Sequence, residues 1–281
     1  MAGFHRQSTG IEVIKQLSDQ VKGKTYQVLI TGTSAGGLGA ETAISLAHGS
    51  PAHVLLLARS ANKVDPVISA IRDVDPEITT TFMPVSLDSF SSVLSAVETV
   101  KAKTSKLNIL INNAGIMAAP YSQNGVGIES QLTAAGPGAR IINVASDGYT
   151  NSPFRFDDWN FSEARLMTPG PVHPGVIFDT SLAGHLDPAS FGEISEIALK
   201  NTGVPFRVGE PKTVQQGVAT TLVAALNPGS AESSGSYLEI CTIHPLRSYA
   251  SSTDNSERLW NLSEKLVGRG HNDVEVWQGL E

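Results

Sequence analysis

A single cysteine, Cys241, leaves no intrachain disulfide to be formed, a pattern that fits a reducing, cytoplasmic compartment. Long apolar runs are missing too: stretches such as residues 54–58 fall far short of the roughly 20 residues a membrane span requires. Basic charge is in deficit. Twenty Lys and Arg against 27 Asp and Glu give a formal charge of −7, which argues against nucleic acid or an anionic membrane surface as partner, and no local basic cluster offsets it. The N-terminus carries no secretory pattern, no repeat or low-complexity tract stands out, and no set of His, Cys and carboxylates has metal-ligand spacing. What remains is 281 residues, 41% hydrophobic, enough to bury a full core as one α/β domain.

Short β-branched runs alternate with helical patterns, the signature of parallel βαβ units. Strands are expected at 26–31, 53–58, 80–85, 107–112, 139–145 and 236–241. Helices are expected at 39–48, 64–74, 89–102, 212–226 and 256–267, with a surface helix through Ile11, Ile14, Leu17 and Val21 before the first strand. Val93, Leu94, Val97 and Val100 share the expected inward face of 89–102, and Val214, Val218, Leu222 and Ala225 that of 212–226. In the last helix the apolar residues are Leu259, Trp260, Leu262 and Leu266, with Asp254 as cap and Gly268 as stop. The expected fold is a doubly wound, mostly parallel Rossmann-type sheet in one domain. Residues 10–115 form its cofactor-binding half and residues 139–268 its substrate and catalytic half. Two crossovers look shortened. Only a short helix near 128–135 fits before the strand at 139–145, and residues 147–171 contain Pro153, Pro169 and Pro171 without a helical period.

The run Ile30-Thr31-Gly32-Thr33-Ser34-Ala35-Gly36-Gly37-Leu38-Gly39 joins the first strand to the first core helix. Glycines there let a phosphate approach the backbone, and the first helical N–H groups with the helix dipole favour negative charge. Gly32, Ser34, Gly37, Leu38 and Gly39 are therefore candidate phosphate-binding residues of a dinucleotide site. Arg59, with Ser60 and Lys63, follows the second strand, where such folds read the adenosine ribose. A cation there suits a 2′-phosphate and favours NADP(H) over NAD(H).

These residues, with Asn112-Asn113-Ala114-Gly115, Ile142-Asn143-Val144-Ala145-Ser146 and His173-Pro174-Gly175-Val176-Ile177, stand in the order found in the short-chain dehydrogenase/reductase superfamily. The chain resembles that family from about residue 10 to about residue 268, nearest its NADP-preferring, retinol-dehydrogenase-like branch in fungi. The C-terminal Ser234–Cys241 and Glu257–Glu264 stretches resemble the same branch. The family spacing is Thr-Gly-x-x-x-Gly-x-Gly, and this chain has one residue more between Gly32 and the Gly37/Gly39 pair. The resemblance implies that Ser86 or Asp88 reaches the adenine, with a helix cap as the alternative role for Asp88. It also implies that Asn113, Ala114 and Gly115 line the adenine ribose, that the Ile177 backbone holds the nicotinamide carboxamide, and that Thr180 contacts a phosphate oxygen.

The implied activity is NADPH-linked interconversion of a secondary alcohol and a ketone on a small hydrophobic molecule, its specificity set by a variable loop at 182–191. In the family a serine polarises the carbonyl, and a tyrosine with a lysine four residues later moves the proton. Ser146 matches the serine. Between Ser146 and Pro174 the one tyrosine is Tyr149, followed four residues on by Pro153, and no lysine occurs there. Tyr149 is thus the weak candidate for the proton donor, and an exposed loop tyrosine is its ordinary reading. The helices of the two shortened crossovers, absent near residues 131 and 164, also form the subunit interface in relatives, so a homo-oligomer would lack its usual contact. A non-catalytic dinucleotide-binding protein is the alternative function, and a non-redox enzyme reusing the pocket a more remote one.

Overall fold

The computed structural model describes residues 3–21, 27–104, 106–115, 140–158, 172–180, 182, 188–230 and 232–267. Helix α1 (Gly10–Gln16) starts at a capping box in which the Thr9 side chain accepts from the Glu12 N–H and the Glu12 carboxylate accepts from the Thr9 N–H. Then follow β1 (Gln27–Thr31), α2 (Leu38–Ala47), β2 (His53–Ala58), α3 (Asp65–Val74), β3 (Thr79–Pro84), α4 (Phe90–Lys103), β4 (Ile109–Asn112) and β5 (Arg140–Asn143). These five strands form one parallel sheet in the order β3-β2-β1-β4-β5. The chain winds outward from β1 to β3 and crosses back to β4, so helices cover both faces, as the doubly wound expectation requires.

The remainder comprises β6 (Val172–His173), α5 (Pro188–Thr202), α6 (Val214–Leu226), β7 (Tyr237–Glu239), β8 (Thr242–His244) and α7 (Thr253–Val267). Strands β6, β7 and β8 form a small second sheet. A parallel bridge between Val144 and Val172, with the Ala145 N–H donating to the Val172 carbonyl at 2.7 Å, seats it against the edge of the first.

Alternate residues of the central strands feed two cores, as a period of two dictates. Val28, Ile30, Val54, Leu56, Ile109 and Ile111 meet α1, α2, α3 and α6 through residues such as Ile14, Leu46, Ile71 and Leu222. Leu29, Leu55, Leu57 and Met83 face the other way onto Ala96, Val93 and Val100 of α4. Strand β2 is buried on both faces along most of its length, which explains its uninterrupted Val-Leu-Leu-Leu-Ala run.

Several local expectations are corrected. Leu94 is 44% exposed, because the buried stripe of α4 runs through Ala96 instead. The cap of α4 is Ser89, whose hydroxyl accepts from the Ser92 N–H, so Asp88 does not cap it. Ser252, not Asp254, precedes α7 and accepts from the Asn255 N–H at 3.2 Å, while Asp254 pairs with Arg258 one turn on at 4.0 Å. Residues 188–191 open α5 rather than continuing a loop. The strand expected at 236–241 ends at Glu239. Ile240 and Cys241 take positive φ values of 46° and 69° and turn the chain into antiparallel β8, with the Cys241 N–H held by Thr220 Oγ1 at 3.2 Å. On α7, Leu259 and Trp260 are 38% and 50% exposed rather than core residues. The expected short helix at 128–135, the stop at Gly268, and residues 116–139 and 159–171 of the two shortened crossovers lie outside the described residues.

Candidate functional site

The Thr-Gly step at the end of β1 organises the site. Thr31 Oγ1 accepts from the N–H groups of Asn113 and Ala114 at 3.1 and 3.0 Å, which ties the end of β4 to the end of β1. The Asn113 side-chain amide donates to the carbonyls of Thr31 and Gly32 at 3.0 and 3.3 Å. Two glycines make this contact fit. A Cβ on Gly32, which sits at φ +71°, would lie 2.7 Å from the Ala114 Cα, and a Cβ on Gly39 would strike the Asn113 amide and the Gly32 carbonyl. Asn113 and Ala114 therefore brace the turn as neighbours of Gly32 and Gly39, and Gly115 follows at the open end of β4.

The additional residue in the loop is absorbed locally. The Gly37 N–H donates to the Ser34 carbonyl at 3.1 Å, closing a β-turn whose third residue, Gly36, has φ +79°. Sequence spacing assigned Gly36 no role, although a Gly-Gly pair beside an extra residue is the signal for such a turn. Gly37 then serves as the N-cap of α2 and offers no side-chain cap, whereas Thr9, Ser89 and Thr213 cap α1, α4 and α6. By helix geometry the N–H groups of Leu38, Gly39 and Ala40 have no intrahelical acceptor, so the start of α2 presents uncompensated donors at the turn.

The turn is also fastened to the segment after β2. The Gly32 N–H donates to the Leu57 carbonyl and the Ala35 N–H to the Lys63 carbonyl, both at 2.8 Å. This places Arg59 and Lys63 on the strip beside the glycines, with both side chains exposed. After β3, Ser86 Oγ donates to Asp88 Oδ1 at 2.5 Å and the Ser86 N–H to Ser92 Oγ at 2.9 Å, so the two adenine candidates form one bonded pair.

From the other half of the chain, Ile177 packs into the space left by Gly217 of α6, where Leu38 Cδ2 also lies 3.1 Å from the position of a Gly217 Cβ. The segment carrying Ile177 and Thr180 thereby reaches the start of α2. A half-open groove of about 270 Å³ runs beside the turn, lined by Ala35, Gly36, Gly37, Glu41, Asp179 and Val214 among others. Glu41 is bonded there by the Gln215 side-chain amide, which also donates to Ser45 Oγ at 3.0 Å and so locks α2 to α6.

The two catalytic candidates share one turn, and each side chain has a partner of its own. Ser146 Oγ accepts from the Gly148 N–H at 3.0 Å and caps the 3-10 turn Asp147–Asn151. Tyr149 is 5% exposed, which corrects the expectation of an exposed loop side chain, and its ring meets Tyr237 edge-on at 5.4 Å. Burial, with Glu239 adding, pushes its phenol further above the ordinary tyrosine value, away from neutral-pH proton transfer. One buried group in this half carried no sequence signal. Lys212 is 4% exposed, its Nζ has no hydrogen-bond partner among the described residues, and its methylenes press on Gly175. Burial holds its ammonium below the usual lysine range. Among the described residues no cluster of His, Cys, Asp and Glu is arranged to hold a metal, and no helix is long and apolar enough to cross a membrane.

The profile of the short chain dehydrogenase family matches residues 26–151. An oxidoreductase, fscI, from Fusarium equiseti is 30% identical over an alignment covering 56% of this chain and 69% of its own. Retinol dehydrogenase 12 from Mus musculus is 28% identical, with 89% of this chain and 88% of the relative covered. A crystal structure of a Mycobacterium paratuberculosis protein superposes with a TM-score of 0.59 at 22% identity, covering 90% of this chain and 97% of that one, a likeness of fold.

Proposed function

Because the chain belongs to the short-chain dehydrogenase/reductase family, we propose that it binds NADP(H) at the β1–α2 turn and acts as an oxidoreductase on a secondary alcohol or ketone of a small hydrophobic molecule. The observation that carries the reading is the uncapped start of α2, set on a glycine turn that Thr31 and Asn113 hold from below. Leu38, Gly39 and Ala40 would offer N–H groups to the pyrophosphate, and Arg59 with Lys63 would engage a 2′-phosphate. Ile177 would border the nicotinamide end, Thr180 would reach a phosphate oxygen, and the bound cofactor would supply the hydride. The lone, buried Cys241 accords with a cytosolic setting.

A second reading, nucleotide binding without turnover, is favoured by one observation: Tyr149 is packed on Tyr237 and Ser146 is spent on its own turn. Titration with NADPH and NADH, followed by nicotinamide fluorescence, tests the binding site. We expect tighter NADPH binding, and Arg59→Ala to weaken NADPH by about tenfold or more while leaving NADH within about twofold, as loss of a charge-assisted bond implies. Equal loss for both nucleotides refutes the role of Arg59, and no affinity for either refutes the site. NADPH oxidation with a panel of ketones then separates the two readings.

A further inference from the structure

Strand β6 and the turn that begins at Ser146 meet through one imidazole. His173 is 6% exposed. Its Nδ1 accepts from the Asp147 N–H at 3.2 Å, and its Nε2 lies 3.9 Å from Asp147 Oδ2. A ring nitrogen that accepts from an N–H carries no proton, so the ring is the neutral tautomer with its hydrogen on Nε2. The anchored peptide lies between Ser146, which caps the turn, and Tyr149, whose ring is seated on Tyr237. The Tyr249 hydroxyl donates to the Tyr149 carbonyl at 2.8 Å and holds the far side of the same turn.

We propose that His173 is the positioning residue for the Ser146–Tyr149 turn and a latch that a proton opens. Protonation puts an N–H on Nδ1 facing the Asp147 N–H, so two donors oppose each other and the bond that anchors the turn is lost. The imidazolium then has the Asp147 and Glu239 carboxylates as its nearby acidic partners, and a hydrogen bond to Asp147, whose Oδ2 lies 3.9 Å from Nε2, requires the ring or the turn to move.

Among the described residues, four charged groups act on this ring. Asp147 of the turn and Glu239 of β7 favour the protonated ring, while Lys212 before α6 and Arg6 of the N-terminal segment oppose it. Burial opposes it most strongly and holds the ring below the ordinary histidine range. The sign follows from linkage. Between the lowered native value and the ordinary value the unfastened chain binds the proton and the native chain does not. The latch is therefore shut at neutral pH and weakens on acidification through the histidine range.

The latch does not depend on nucleotide binding, so its test stands apart from that of the cofactor site. Histidine C–H resonances and the near-ultraviolet circular dichroism of the tyrosines are followed from about pH 8 to about pH 5. The His173 resonance is assigned by its disappearance in His173→Gln, whose side-chain carbonyl can accept the Asp147 N–H without titrating. The native protein should lose tyrosine ellipticity as the His173 resonance shifts, and His173→Gln should lose none over that range. His53→Gln serves as control, since burial lowers that imidazole too, and it should behave as the native protein does. The same acid-induced loss in His173→Gln overturns the proposal, as does a His173 titration that leaves the tyrosine signal unchanged. Should the glutamine variant fail to fold, the native titration alone decides, with His173 assigned by its contact to the Asp147 N–H.

Discussion

One close approach at the proposed nucleotide site is of a kind that a single methyl group would destroy. In Gly32→Ala, the new Cβ lies 2.7, 3.0 and 3.1 Å from the Cα, Cβ and N of Ala114. Ordinary carbon contacts are about 3.5–4.0 Å, so Ala114 must retreat by about 1 Å. It cannot do so freely, because Thr31 Oγ1 holds the N–H groups of Ala114 and Asn113 at 3.0 and 3.1 Å. Losing both bonds costs about 2 kcal/mol, and placing alanine at φ +71° adds roughly 1–2 kcal/mol, for a total of about 3–4 kcal/mol. Gly36 supplies the internal control. Its φ is +79°, yet nothing lies within 4 Å of its Cβ position, so Gly36→Ala should incur the backbone term alone, roughly 1–2 kcal/mol. Urea unfolding of the two variants, with unchanged slopes, should therefore differ by about 2 kcal/mol. A difference below about 0.5 kcal/mol, beyond the scatter expected for single substitutions, would refute the claim that close approach of β4 defines this turn.

Thr31→Val keeps the shape but removes the acceptor shared by two backbone N–H groups, and should lower stability by about 2–4 kcal/mol, read as a drop in melting temperature. Lys212→Met replaces a buried ammonium that has no hydrogen-bond partner among the described residues with an apolar chain of similar length, and should leave stability unchanged or raise it by about 1–3 kcal/mol. The native value of Lys212 lies below that of the unfolded chain, so unfolding takes up a proton between the two and stability rises with pH across that alkaline window. Stability curves of the native protein and Lys212→Met should therefore converge as pH rises towards the ordinary lysine value. Parallel curves would mean that the ammonium has a partner in solution.

The first half of the chain was legible in the sequence because its signals are local. Residues 53–58 read as a strand with the bounds later found, since β2 is apolar on both faces and ends just before Arg59. The glycine run read correctly as a strand-to-helix corner, since positive φ and close approach are demands that only glycine meets. Reading failed where two local solutions were nearly equal. Either Asp88 or Ser89 could cap α4, and the choice went to Ser89, whose hydroxyl reaches the Ser92 N–H while Asp88 binds Ser86. Helix α5 escaped notice because Pro188, Ser190 and Gly192 open it with poor helix formers.

The sequence by itself determined the alternation of strands and helices, the corner at residues 31–39 and the lack of a Tyr-x-x-x-Lys pair between Ser146 and Pro174, because each is a matter of residue type and spacing. Only the tertiary structure decided that Thr31 binds the end of a strand some 80 positions away, that Ile240 and Cys241 reverse the chain against Thr220, and that His173, Lys212 and Tyr149 are buried. Those outcomes depend on which distant groups compete for the same few ångströms. No local pattern encodes that competition, because it is settled only when the sheet closes and the partners are brought within hydrogen-bonding range.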